Sequence, residues 1–180
     1  MPHDETSYWQ TPPLILQGWS LMVQGRTPEG IEQMERGLEA FQAAGTIESW
    51  SYYQSMLAEG YLLVGRAEDA IQILHDALSV ATMTAWWLPE LYRLQGESLL
   101  ALPIPLLEDA RTSFRQAIAI ARSHGTRALE LRSVLSLYRL ARGDGCEDDG
   151  RQDLEMLLEW FNDGQTLPEL FEATEFLTQR

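Results

Sequence analysis

Apolar positions in this chain recur in helical phase, and the phase itself repeats with a period of about 40 residues, within the range of helical-repeat arrays. Met34, Leu74, Phe114 and Leu154 fall in one column, and Gly30, Ala70, Ala110 and Gly150, four residues earlier, form a second made only of small side chains. A third column, Gly37, Ala77, Ala117 and Leu157, follows three residues after the first, and Gln24-Gly25-Arg26 returns one period later as Val64-Gly65-Arg66. A unit of this length leaves an apolar face that only its neighbour covers, so the pattern predicts stacked helical hairpins. The small columns mark where two helices approach closely, because a large side chain there would hold them apart.

Stop and start signals divide the chain into nine helices. The first spans about 13–25 and ends at Gly25, and Thr27-Pro28-Glu29 restarts the chain with a capping hydroxyl, a proline at the first helical position and an acid facing the dipole. Further helices are predicted to about residue 44, then over 47–64, 67–83, 86–102, 106–124 and 127–142, with Pro103 and Pro105 ending the fifth. Asp148 or Asp149 caps an eighth helix that reaches Phe161, and 167–179 reads as a ninth, apolar along Leu167, Leu170, Phe171, Ala173 and Leu177. The expected architecture is all-α: a right-handed superhelix of four hairpins, over about 13–45, 46–84, 86–124 and 126–162, closed by a capping helix at 167–179. Residues 1–12, polar and proline-containing, are expected to form a flexible tail.

Charge narrows the partners. The net charge of -14 repels nucleic acid and anionic lipid, so neither is an expected partner. All 13 basic residues are Arg, and they are unevenly placed. Residues 111–142 hold seven Arg against Glu130 alone, whereas 144–180 hold eleven acids and two Arg. A basic hairpin packed beside an acidic one is the simplest account. No run of 18 apolar residues and no basic-then-apolar leader is present, which makes the cytoplasm the expected location. The single Cys146 lies among Asp144, Glu147, Asp148 and Asp149, where negative potential disfavours a thiolate.

Catalytic patterns are missing. Without any Lys the chain has no phosphate-binding Gly-x-x-x-x-Gly-Lys loop, and neither Gly-x-Gly-x-x-Gly nor Gly-x-Ser-x-Gly occurs. His3, His75 and His124 are too scattered for metal-ligand spacing. A non-enzymatic chain without metal or cofactor is expected.

The columns resemble the tetratricopeptide repeat (TPR). Hairpin two carries Leu57-Ala58, Tyr61, Ala70, Leu74 and Ala77, and hairpin three Gly96, Leu99, Ala110, Phe114 and Ala117, with two extra residues in its proline turn. Hairpin one uses Gly30 and Gly37 for the two alanines, and hairpin four keeps Gly150, Leu154 and Leu157. The run Trp86 to Leu100, with its Glu-x-x-Arg-Leu-x-Gly-Glu block, followed by Ala110 to Ala121, resembles the C-terminal TPR arrays of bacterial signalling proteins. Those proteins join a STAND or AAA NTPase to a nucleotide cyclase or a LuxR-type DNA-binding domain. The resemblance implies a regulatory arm that senses a protein or small effector.

It also implies a site. In TPR arrays the first helix of each hairpin lines the concave surface, which places Tyr52, Ser55 and Glu59, and Glu90, Arg93 and Glu97, toward a groove, with Trp19 at its edge. Carboxylates with one Arg and nearby aromatics suit a basic peptide or a small cationic or polar effector. The same residues could instead pair among themselves, since Glu90 and Arg93 stand three apart on one helix. The functional reading is a protein-interaction module, with an effector receptor as the alternative. The uncovered first helix, with Leu14, Leu16, Leu21 and Met22, would permit association of two copies through the array end.

Overall fold

A computed structural model describes residues 5–43, 49–81, 86–143, 145, 150–161 and 167–178, with 5–11 described as backbone only. All regular structure among these residues is helical: α1 (Glu5–Val23), α2 (Thr27–Ala43), α3 (Trp50–Leu63), α4 (Ala67–Val80), α5 (Leu88–Leu100), α6 (Leu107–His124), α7 (Arg127–Gly143), α8 (Arg151–Trp160) and α9 (Pro168–Thr178). They fall into two compact units. The first comprises Met1–Thr82 with Ala101–Ile104, and the second Met83–Leu100 with Pro105–Arg180.

In the first unit α1 packs on α2 and α3 on α4, while α3 also touches α1 and α2. The small columns do what helix packing requires of them. A Cβ on Gly18 would lie 2.7 Å from the Gly30 carbonyl oxygen, and one on Gly37 2.7 Å from Ile15 Cγ1, so α1 and α2 run almost backbone to backbone. Met34 and Leu74, one period apart, are fully buried, as is Ala70. The turns repeat as well: Gly25 and Gly65 sit at φ of 82° and 75°, a left-handed conformation that glycine adopts without steric cost. After each glycine comes an Arg whose carbonyl accepts the first helical bond, from Gly30 N at 3.0 Å and Ala70 N at 3.1 Å. Arg26 then pairs with Glu29 and Arg66 with Asp69. Arg26, rather than the expected Thr27, is therefore the residue flanking α2, because the glycine turn hands the chain to the helix one residue earlier.

Two further boundaries differ from expectation. Helix α1 starts at Glu5 and takes in Pro12 and Pro13, whereas the sequence reads 1–12 as a flexible tail and begins the first helix at about 13. The capping role expected of Asp148 or Asp149, like the environment of Cys146, lies outside the described residues. Helix α8 is entered from Gly150, at φ 92°, whose carbonyl accepts a 3.0 Å bond from Leu154 N.

In the second unit α5 packs on α6, α6 on α7, and α7 on α8, with α5 also against α7. Its core joins Phe114 and Ala110 of α6, Leu131, Val134, Leu135 and Tyr138 of α7, and Leu154 and Leu157 of α8. A Cβ on Gly96 would run into the Phe114 ring, which explains the glycine at that column of α5. Full burial of a phenylalanine such as Phe114 contributes about 1.5–3 kcal/mol. Helix α9 caps this unit: Ala173 is buried, and Leu167, Leu170, Phe176 and Leu177 pack half-buried on the core. Trp86 and Trp87 lie in the turn that precedes α5, Trp86 being 61% exposed and Trp87 half-buried, with rings edge to face at 4.8 Å.

Candidate functional site

The three charged candidates of α5 are brought together and closed off. Arg93 Nε donates to Glu90 Oε2 at 3.0 Å and Nη2 to Glu90 Oε1 at 2.7 Å, a two-pronged pair, while Nη1 reaches Glu97 Oε1 at 3.2 Å. Glu90 is 1% and Arg93 8% exposed, so neither offers a free charge to a groove, and Glu97 is half-buried. The reason is α7, which lies alongside and supplies more guanidinium. Arg132 Nη2 stands 3.0 Å from Glu90 Oε1, Arg139 Nη1 3.9 Å from Glu97 Oε1, and Ser136 Oγ donates to Glu97 Oε1 at 2.6 Å.

The same two arginines continue to α9. Arg132 Nε lies 3.6 Å from Glu169 Oε1, and Arg139 donates to both oxygens of Glu172, at 2.6 and 2.5 Å. Two parallel rungs result, Glu90–Arg132–Glu169 and Glu97–Arg139–Glu172, with Arg93 tying their α5 ends together. Sequence reasoning missed the α7 and α9 members, although a signal existed for two of them. Arg132 follows Glu90, and Arg139 follows Glu97, by one and the same interval, a single period lengthened by the two extra residues of the proline turn.

Tyr52, Ser55 and Glu59 belong to the first unit, on α3. Ser55 is 1% exposed and its hydroxyl donates to the Tyr52 carbonyl at 2.6 Å, so it serves its own helix. Tyr52 and Glu59 are half-buried. Tyr52 borders an aromatic cluster: its ring is 5.5 Å from Tyr53, which meets Phe41 edge-on at 5.4 Å, and Phe41 stacks on Trp50 at 6.0 Å. Beside it Gln54 is 4% exposed, and its side-chain oxygen is buried without a hydrogen-bond partner.

A pocket of about 180 Å³ opens between α6, α7 and α8, lined by Arg122, Arg127, Glu130, Asp153, Met156, Leu157 and Trp160. Its charges are matched. Arg122 Nε donates to Glu130 Oε1 at 2.7 Å and Nη2 lies 2.6 Å from Asp153, while Arg127 Nη1 donates to Glu130 Oε2 at 2.7 Å and its guanidinium sits 6.0 Å from the Trp160 ring centre. The hydrogen bond to Glu130 raises the Arg122 pKa above its ordinary value. Small-molecule clefts usually enclose about 300–1,000 Å³. Among the described residues no group of His, Cys, Asp and Glu is placed to hold a metal ion, and no helix is long and apolar enough to cross a membrane.

No protein-family model matches the chain. Over 130 residues, 71% of its length, it is 28% identical to an uncharacterized protein of Rhizobium meliloti (strain 1021), and it spans 12% of that relative. In three dimensions it superposes on a crystal structure of nearly identical TPR-like repeats of a candidate kinesin light chain from Podosopora anserina. The TM-score is 0.68 at 17% identity, over 92% of this chain and 82% of that one. A single-substitution variant of the same protein gives equal values. The fold is TPR-like. At this identity the likeness concerns the hairpin fold, and the TPR-like reading of the columns stands on it together with the buried small residues.

Proposed function

We propose that this chain is a non-catalytic protein-interaction module that presents the first helices of its hairpins to a protein or peptide partner, as a regulatory arm of a larger bacterial signalling protein. The observation that carries the reading is the TPR-like fold, matched over 92% of the chain. The absence of catalytic motifs from the sequence supports it. So does the bacterial relative, of which the chain spans only 12%, as an arm of a larger protein would. The block Glu90-x-x-Arg93-Leu94-x-Gly96-Glu97 is what links the reading to arrays attached to STAND or AAA NTPases. The effector-receptor alternative would need a larger cleft than the α6–α8 pocket.

Peptide arrays of graded charge test it. The chain should retain basic peptides, and Glu59→Gln, a half-buried carboxylate on α3, should weaken that retention and flatten its salt dependence. Arg115→Gln, an exposed change on α6, should leave it intact. Equal losses from both variants would mean that net charge drives retention, and the groove reading would fall.

A further inference from the structure

Helix α9 is seated by chemistry that can be read as a recognition code. Its inward face is Leu167, Leu170, Ala173, Phe176 and Leu177, of which Ala173 alone is fully buried. The Phe176 ring lies 5.8 Å from Tyr138 and under the Arg142 guanidinium at 5.1 Å, and Glu169 and Glu172 flank the apolar strip on Arg132 and Arg139. Those two arginines keep Glu90 and Glu97 as partners whether or not α9 is present. The seat is therefore held in its binding geometry by α5, and opening it strands no buried charge.

The occupant is weakly held by comparison. Eleven residues are fewer than an isolated helix needs to persist in water, about 12–15. Its ion pairs are partly solvated, with side chains 28–43% exposed, so salt weakens them. Resting on the interaction-module reading above, we propose that the α7–α8 face is a docking seat for an acidic amphipathic helix of another protein, and that α9 is its built-in competitor. The partner helix carries what α9 carries: two carboxylates three residues apart, a small residue directly after the second, and an aromatic three residues beyond that. A bulky side chain at the small position would lift the helix off the seat, and basic residues at the acidic positions would face Arg132 and Arg139.

The probe is a fluorescein-labelled peptide of residues 167–178, titrated against the full chain and against a full chain carrying Leu170→Ala and Phe176→Ala. The peptide should bind the variant at least tenfold more tightly than the parent, because the competitor is weakened and the seat is intact. A peptide with Glu169→Arg and Glu172→Arg should bind neither chain. Equal affinity for parent and variant, or undiminished binding of the charge-reversed peptide, would overturn the proposal. If the variant does not melt cooperatively, hydrogen exchange on the parent decides. The α9 amides should exchange at least a hundredfold faster than those of α7, and equal protection would overturn the proposal. Loss of basic-peptide retention in the array experiment leaves these readouts unmoved, so the seat and the groove fail separately.

Discussion

Arg93→Met isolates the worth of the buried pair on α5. The Glu90 side chain is 2% exposed and takes two of its three close guanidinium contacts, at 3.0 and 2.7 Å, from Arg93. Removing one partner of a buried pair costs about 3–5 kcal/mol, since the other charge is left where water cannot reach it. Arg132 remains at 3.0 Å and offsets part of that, so we expect a loss of about 2–3 kcal/mol, or roughly 4–12 °C in the melting midpoint. The double variant Glu90→Leu with Arg93→Met removes both charges and should recover most of the loss, because an apolar pair of similar volume carries no desolvation penalty. Urea melts followed by far-UV circular dichroism measure both, with the two compact units fitted as separate transitions if the curve demands it. A single variant whose urea midpoint matches the parent's within error, or a double variant less stable than the single, would refute the argument.

Three further outcomes are expected. Gln54→Met replaces a buried acceptor that has no partner with an apolar side chain of similar length. It should raise stability by about 1–2 kcal/mol, and a lower urea midpoint would contradict that. Burial, together with the 2.8 Å hydrogen bond to Glu35, raises the Tyr61 pKa above the ordinary tyrosine value. The folded state thus keeps this proton to higher pH than the unfolded chain, and the stabilisation is whole below about pH 10 and lost as pH rises beyond it. The chain has no Lys to confuse that limb, so Tyr61→Phe should flatten the alkaline fall in stability, and an unchanged slope would count against the assignment. Leu14, Leu16 and Val23 of α1 are 41%, 47% and 72% exposed, and self-association should weaken in Leu14→Glu with Leu16→Glu. Sedimentation that finds only monomer in the parent at every accessible concentration would dismiss it.

What could be read in advance was set by sterics. Gly30, Ala70, Ala110 and the apolar column Met34, Leu74, Phe114 and Leu154 all prove buried, because close helix approach admits few side chains and leaves a periodic trace. The glycine turns were legible for the same reason. The charged candidates were legible only in part, since the spacing of Glu90 and Arg93 allows their pairing but does not announce their burial. Glu90, Arg93 and Glu97 look on paper like a solvated face, and only the packing of α7 turns two of them into buried groups. Ser55 misleads by the same logic, since its hydroxyl bonds backwards to Tyr52. Glu169 and Glu172 stand at no constant interval from their arginines, so nothing in the spacing announced them.

The uneven charge of the C-terminal half then takes on a sharper meaning. Arg122 reaches Asp153, Arg132 reaches Glu169 and Arg139 reaches Glu172, so arginines of α6 and α7 point forward to acids of α8 and α9. Each of these pairs is partly exposed, and such pairs are worth only about 0–1 kcal/mol apiece. Burial of Leu154, Leu157 and Ala173 stabilises the same contacts without them. Their effect is on which helix follows which. An apolar strip alone accepts any amphipathic helix in several registers, whereas two arginines fixed from behind by Glu90 and Glu97 reward one acidic register and repel a basic one. A chain whose hairpins share one apolar pattern needs that discrimination, since its own helices are each other's closest competitors for the wrong seat.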